Sequence, residues 1–229
     1  MNWVSNNLDL VLELTIQHLR LSVIPIVLGF VIAIPLGYLA YRYKLTRGIL
    51  LTVAGLLYTI PSLAMFIVLP SIIGISILSE ANVVIALTIY AVAIMARSIA
   101  EALGSVDPGV RQAATAIGYS SWRRFWAVEF PLAGPVMLAG LRVTAVSTIS
   151  LVTVGILIGI QSLGYLFTNG YQRRITEEIL TGVVAVMVIA LLVDFLLARA
   201  GRLVMPWTRV AGSSSRGRRA RAAVPEVSA

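Results

Sequence analysis

The sequence predicts an all-α protein that spans a membrane about five times. Of its 229 residues, 59% are hydrophobic and 12% are charged, whereas a soluble domain is about 25% charged. Long uncharged runs recur along the chain, and about 20 apolar residues suffice for one helix to cross a bilayer. Basic residues cluster between these runs, as they do where they orient membrane proteins. Together these observations favour a multi-spanning helical membrane protein.

Five apolar runs define the predicted spans. They lie at 21–41, at 50–70, at 81–96, in the first two thirds of the uncharged run 143–172, and at 179–203. Within and beyond the second span, Pro61 and Pro70 are expected to kink or end the helix. Gly74 then favours a short turn, which predicts an outer loop or a re-entrant segment.

Basic residues assign a side to each loop. With the N-terminus outside, all of the 18 Lys and Arg residues except Arg20, Arg173 and Arg174 fall on one side. That side is predicted to be the cytoplasm, so the C-terminus and the loop 98–133 are cytoplasmic.

Three regions of the chain follow from this topology. Residues 1–19 are expected to form an interfacial segment on the outer face. Residues 20–205 form the transmembrane domain, and 206–229 a basic, disordered cytoplasmic tail that contacts anionic lipid headgroups or is simply solvated.

Composition excludes several kinds of chemistry. The chain has no Cys and one His, so no metal site and no catalytic residue is predicted. Lys44 is followed by Leu and has no Gly-rich run before it, so the chain has no phosphate-binding loop of its own. The net charge of +8 flanks the apolar runs, which indicates membrane orientation and argues against nucleic acid as a partner.

A polar hairpin at 107–131 interrupts this apolar pattern. Asp107 is a favourable N-cap and Pro108 suits the first helical position. Gly118 suits the left-handed residue that ends a helix. Between them lies a single apolar stripe at helical spacing, made of Val110, Ala113, Ala114 and Ile117. The pattern predicts a helix of about 10 residues.

A second short helix is predicted after Gly118. Ser120 or Ser121 can cap it, and Pro131 is expected to stop it or turn it back toward the bilayer. One face of this helix carries the aromatic residues Trp122, Phe125 and Trp126.

The spacing within the hairpin resembles a known family motif. From Gln112 the chain reads Gln-Ala-Ala, three residues, Gly118, nine residues, Val128, one residue, and Phe130-Pro131. Permease subunits of binding-protein-dependent ABC importers carry Glu-Ala-Ala, three residues, Gly, nine residues, an aliphatic residue, one residue, and Leu-Pro. The resemblance covers roughly residues 15 to 205 and implies the type I ABC importer permease fold.

This resemblance implies a partner for the hairpin. Its first helix would be the coupling helix, which docks in a cleft of a separate P-loop ATPase that binds ATP and Mg. The implied coupling residues are Val110, Gln112, Ala113, Ala114, Ile117, Gly118, Val128, Phe130 and Pro131. Gln112 stands where the motif has Glu and Phe130 where it has Leu. Because Gln carries no charge, docking by shape is expected here and a salt bridge is not.

Four further segments are similar to permeases for osmoprotectants such as glycine betaine, choline and carnitine. They lie at 17–22, 60–64, 139–142 and 159–164. This likeness implies an importer in the bacterial cytoplasmic membrane, with an extracytoplasmic solute-binding protein and a second permease subunit, identical or homologous. Methionine permeases share much of the plan, so an importer for methionine or another small solute is the alternative within the class.

Residues for a substrate path are suggested by the chemistry of quaternary amines. A quaternary ammonium has no N–H and is held by aromatic faces. Tyr58 and Tyr90 lie in spans and are candidates, with Ser147 and Thr148 as polar neighbours. The alternative roles are packing for the tyrosines and helix–helix hydrogen bonding for the hydroxyl residues.

Few ionisable residues lie within the predicted spans. Asp194 is expected to pair with Arg142 or Arg199, and His18 to lie at the membrane interface. An ATP-independent secondary carrier is an alternative of another class. Such carriers commonly need intramembrane acids or an inverted repeat, and this sequence shows one such acid and no visible repeat.

Overall fold

A computed structural model describes residues 2–207, within which every regular element is a helix. In chain order the α-helices are α1 Asn2–Asn6, α2 Leu8–Arg42, α3 Lys44–Thr59, α4 Ser62–Ile73, α5 Glu80–Gly104, α6 Pro108–Ala116, α7 Ser121–Arg124, α8 Phe130–Val152, α9 Gly164–Arg173 and α10 Thr176–Val204. A π-helical turn, Phe125–Glu129, joins α7 to α8, and a 3-10 helix, Thr153–Ile158, follows α8. The predicted tail from residue 208 onward lies outside the described residues.

Within residues 2–207, four helical segments are long and apolar enough to cross a membrane. They are α2, α5, the continuous segment Ser121–Ile158 and α10. Helices α3 and α4 meet at an angle of 109° and supply a fifth crossing if the bent pair counts as one. The prediction of an all-α membrane protein with about five spans is confirmed.

The first span is longer than predicted. Helix α2 has 35 residues and begins at Leu8, so no break separates the predicted segment 1–19 from span one. Charged residues at Asp9, Glu13 and Arg20 limited the uncharged run, but they do not end the helix. The position of residues 1–19 at the outer membrane face stays a prediction.

The second span is broken at Pro61, where the sequence predicts a kink or an end of the helix. The chain turns at Ile60 and Pro61, where Ile60 has an extended backbone with ψ 127°. The ring of a proline disfavours the helical conformation in the residue before it, which explains why the helix breaks at Ile60. Pro70 lies inside α4 without ending it, and Gly74 ends α4 in the left-handed conformation at φ 74°, as predicted.

The fourth span starts earlier than predicted, because Pro131 does not stop the preceding helix. The N–H of Phe130 donates to the carbonyl of Phe125, five residues back. This wider turn accommodates Pro131 within a continuous helix. Pro131 has no N–H of its own and lies at the start of α8. One helical segment therefore continues from the hairpin into the membrane span.

Helix α5 is the centre of the bundle and packs against α2 through small residues. Gly29, Ala33 and Gly37 on α2 are spaced by four and are buried. A Cβ atom at Gly29 would lie 2.4 Å from the Cβ of Ala91. Small residues at this spacing let two membrane helices approach closely, so α2 and α5 form a tight scaffold.

The expectation that His18 lies at the interface is wrong, since its side chain is fully buried. Its Nε2 donates to the carbonyl of Ile149 at 3.0 Å. That carbonyl is free because the N–H of Thr153 bonds to Ser150, three residues back, where α8 tightens into the 3-10 helix. His18 thus fastens α2 to the end of α8.

Candidate functional site

The first helix of the hairpin, α6, has the ends that the sequence predicts. The carboxylate of Asp107 accepts the N–H of Gly109 at 2.6 Å, and Pro108 is the first helical residue. Gly118 has φ +91°, and its N–H bonds to the carbonyl of Thr115. Local capping signals therefore define this helix.

The apolar stripe on α6 divides between two surroundings. Ile117 is 75% exposed, and Val110 and Ala113 are exposed as well. Ala114 is only 5% exposed and faces the protein. Gln112 is exposed beside them. The face that α6 offers to another molecule therefore contains Val110, Ala113 and Ile117, while contact through Ala114 stays a prediction.

The second half of the hairpin is an aromatic cluster. Ser120 caps α7 by accepting the N–H of Arg123 at 3.4 Å. The ring of Trp126 lies 5.7 Å from that of Trp122 and 5.2 Å from that of Phe130. Val128, Phe130 and Pro131 are half-buried within or beside this cluster. These three motif residues lie outside α6, and their contact with a partner stays a prediction.

Polar contacts that the sequence did not predict fasten the hairpin to its surroundings. Arg124 donates to Glu129 at 2.6 Å and to the hydroxyl of Thr115 at 2.7 Å. Arg111 donates to the hydroxyl of Tyr41 at the end of α2 and to the carbonyl of Val106. These bonds hold α6 against the ends of the spans.

An open cavity of about 540 Å³ lies beside the break between α3 and α4. The rings of Tyr58 and Tyr90 meet there edge to face, with their centroids 6.1 Å apart. The hydroxyl of Tyr90 donates to the carbonyl of Ile60 at 2.6 Å. The cavity is lined by Tyr58, Thr59, Ile60, Pro61, Ser62, Tyr90, Val146, Ser147, Ser150 and Leu151.

Three of the four predicted path residues therefore share this cavity. Tyr58 on α3, Tyr90 on α5 and Ser147 on α8 all line it. Thr148 is buried and does not line the cavity. The wall of this cavity combines aromatic rings, hydroxyl groups and the backbone of the turn between α3 and α4. Such a wall suits a small polar solute.

The acid in the last span is paired as predicted. Arg142 on α8 donates from Nε and from an Nη atom to the two carboxylate oxygens of Asp194, each at 2.6 Å. Arg199 instead lies over the ring of Phe195. Asp194 therefore joins α8 to α10, and its carboxylate has a structural role in the ion pair with Arg142.

Comparisons with known proteins agree on one family and one fold. The family model described as "binding-protein-dependent transport system inner membrane component" matches residues 18–210. The osmoprotectant import permease protein OsmW of Salmonella typhimurium is 34% identical over 90% of this chain and 96% of that protein. The glycine betaine/carnitine/choline transport system permease protein OpuCB of Bacillus subtilis is 31% identical over 90% of this chain and 94% of that protein.

Solved structures give the same architecture. An inward-facing conformation of the MetNI methionine ABC transporter contains a chain that superposes with a TM-score of 0.78. The match covers 87% of this chain and 98% of that chain, at 22% sequence identity. At this identity the likeness establishes the importer permease fold alone.

Proposed function

This chain belongs to the family of binding-protein-dependent transport system inner membrane components, and we propose that it is the translocation subunit of an ATP-driven importer for osmoprotectants. It is a permease and not an enzyme, since members of this family leave ATP hydrolysis to a partner subunit. The proposed cargo class is glycine betaine, choline, carnitine and related quaternary amines.

The likeness to osmoprotectant permeases carries the proposal of cargo. Relatives named for osmoprotectant, glycine betaine, carnitine and choline transport match this chain almost end to end. The cavity chemistry supports the same class, because Tyr58 and Tyr90 present aromatic rings to it. A quaternary ammonium is attracted to such rings without needing a hydrogen-bond acceptor. Methionine, the alternative, is supported by fold likeness alone.

The exposed face of α6 supports the proposed coupling. Val110, Ala113 and Ile117 leave a small, shallow surface on which another backbone can approach closely. A P-loop ATPase that binds ATP and Mg would receive this face in a cleft. Its closure would move α6 together with the continuous helix Ser121–Ile158, because Arg124 and Arg111 fasten the hairpin to the spans. Access then alternates through differential contacts in two states.

The proposal includes the other parts of the machine. A second permease subunit would complete the path, and a solute-binding protein outside the bacterial cytoplasmic membrane would deliver the cargo. Membrane lipids surround the spans, and the loop 98–133 with its hairpin faces the cytoplasm.

Uptake by the assembled complex in proteoliposomes tests the cargo. We expect ATP-dependent uptake of labelled glycine betaine that choline or carnitine inhibits and methionine does not. Tyr58→Leu should raise the half-saturating concentration several-fold, because a cation–π contact is worth about 0.5 to 2 kcal/mol. Tyr171→Leu is the matched control, since this tyrosine is exposed and lies outside the cavity.

Three outcomes would each overturn a part of this assignment. Uptake of methionine and not of glycine betaine would move the chain to the alternative cargo. Uptake without ATP, by a chain that purifies with no ATPase, would make it a secondary carrier. Equal changes of the half-saturating concentration in Tyr58→Leu and Tyr171→Leu would show that the cavity is not part of the substrate path.

A further inference from the structure

A second cavity lies behind the exposed face of α6. It has a volume of about 690 Å³ and lies open to its surroundings between the end of α2 and the hairpin. Its walls are formed by Tyr38, Tyr41, Arg42, Arg111, Gln112, Thr115, Ala116, Arg124 and Glu129. We refer to these nine residues as the basic cavity.

The basic cavity holds more positive than negative charge. It contains three guanidinium groups and one carboxylate, and Glu129 is already paired with Arg124 at 2.6 Å. Among residues 2–207, neither Arg42 nor Arg111 has a carboxylate at salt-bridge distance. The Nε atom of Arg111 is buried and has no hydrogen-bond partner among these residues. A donor of this kind is costly unless something accepts its hydrogen.

The departure from the importer motif explains this surplus. Gln112 lines the basic cavity at the position where the motif carries Glu. A carboxylate there would place a counter-charge on the same wall as Arg111. The amide of Gln112 can donate and accept hydrogen bonds but leaves the charge uncompensated.

We propose that the basic cavity binds a phosphate group, carried by an anionic phospholipid headgroup or by a soluble phosphate compound. Guanidinium groups match phosphate oxygens in charge and in geometry. The Nη atoms of Arg111 already donate to Tyr41 and Val106, so its Nε is the donor that remains for a phosphate oxygen. The hydroxyl of Tyr41 accepts from Arg111 and retains its own hydrogen for a phosphate oxygen, whereas the hydroxyl of Thr115 already donates to the carbonyl of Arg111. The bound phosphate bridges Arg42 on α2 and Arg111 on α6, and so fastens the hairpin to the first span.

The position of the basic cavity favours the headgroup as the source. Tyr38, Tyr41 and Arg42 form the last turn of a membrane span. Aromatic and basic residues at the end of a span lie at the level of the headgroups, on the side that the charge distribution assigns to the cytoplasm. Anionic lipids are concentrated in that leaflet and attract such clusters.

Native mass spectrometry of the full chain in a neutral detergent tests the proposal. Phosphatidylglycerol, phosphatidylcholine and inorganic phosphate are titrated separately at constant ionic strength. We expect a phosphatidylglycerol adduct, roughly tenfold weaker in Arg42→Gln, because one charge-assisted bond is lost. Gln112→Glu should weaken the adduct as well, since it supplies the missing counter-charge. Arg47→Gln should leave it unchanged.

The variants separate a site from general attraction. Arg42 is exposed and Arg47 is exposed nearby on α3, so neither substitution disturbs packing. Inorganic phosphate that binds with the same dependence on Arg42 and Gln112 would support the site and identify a soluble compound as the source. Equal binding of phosphatidylcholine, equal loss in all three variants, or no adduct at all would each overturn the proposal.

Discussion

The interface between α2 and α5 is dry and closely packed, whereas the hairpin 107–131 is polar and exposes most of its first helix. On α2, Gly29 and Gly37 are in direct contact with α5. On α6, Val110 and Ile117 face outward, and arginine hydrogen bonds hold the helix in place. The contrast teaches how motion can be transmitted. The closely packed helices α2 and α5 move as one body. The exposed face of α6 is open to a partner protein, whose movement can be passed to that body.

The largest effect is expected from breaking the scaffold side of this comparison. Gly29→Val would place a Cβ atom 2.4 Å from the Cβ atom of Ala91, which is closer than two non-bonded carbon atoms can come. Overpacking of this kind costs about 1 to 3 kcal/mol or more. We expect a large fall in the thermal unfolding temperature of the purified chain in detergent.

Gly48→Val is the matched control for that variant. Gly48 also lies in a helix, and a Cβ atom there would meet nothing within 4 Å. Both variants add the same β-branched side chain, so helix propensity cancels in the comparison. Equal loss of stability in the two variants would show that close approach of α2 and α5 is not what holds the scaffold.

A smaller effect is expected from the ion pair between α8 and α10. Arg142→Leu or Asp194→Leu alone leaves one charge without its partner in a span, whereas the double variant leaves none. We therefore expect each single variant to lower the unfolding temperature more than the double variant does. A double-mutant cycle on unfolding temperatures measures the coupling.

A second ion pair serves as the reference for this cycle. Arg20 and Glu80 are also 2.6 Å apart, but their side chains are 64% and 51% exposed, against 40% and 28% for Arg142 and Asp194. An exposed pair contributes little. A coupling for Arg20 and Glu80 as large as that for Arg142 and Asp194 would contradict the structural role given to Asp194.

The same comparison shows what the sequence can predict. The ends of α6 and α4 follow from single residues, because Asp107 supplies a cap and Gly118 and Gly74 adopt φ values that other residues resist. Such signals are local, and no other helix is needed to read them. The spacing of Gly29, Ala33 and Gly37 is equally local and predicts a face on which another helix packs closely, without identifying that helix.

Other features depend on distant parts of the chain. His18 is buried because the carbonyl of Ile149, 131 residues away, is left free by the 3-10 turn. That partner is not visible in a local pattern. Pro131 depends instead on the turn directly before it, because the π-helical geometry there removes the clash that proline normally causes.

The candidate cavity was predictable in part, for a related reason. The chemistry of the two side chains predicts Tyr58 and Tyr90, and the packing of α3 against α5 brings their rings together. Ser147 lines the cavity and Thr148 does not, although they are neighbours in sequence. Successive side chains on an α-helix point about 100° apart, so a choice between adjacent residues requires the rotation of the helix in the bundle.

The smallest effect on stability is expected at Gly118, in the turn of the hairpin. A substitution there should instead affect the coupling of ATP hydrolysis to transport. Gly118→Ala imposes a positive φ on a residue with a Cβ atom, which costs about 1 to 2 kcal/mol. No atom lies within 4 Å of the added Cβ, so backbone strain is the whole effect. We expect α6 to shift relative to α7 and ATP hydrolysis to exceed transport in the reconstituted complex.

Gly74→Ala carries the same strain at a different place. Gly74 has φ +74° and likewise has open space around the added Cβ atom, but it ends α4, outside the hairpin. The number of ATP molecules hydrolysed per solute transported should therefore rise in Gly118→Ala and stay unchanged in Gly74→Ala. A rise in both would mean that backbone strain anywhere in the spans uncouples the machine. Since the two substitutions differ only in location, a rise in Gly118→Ala alone would assign coupling to the hairpin itself.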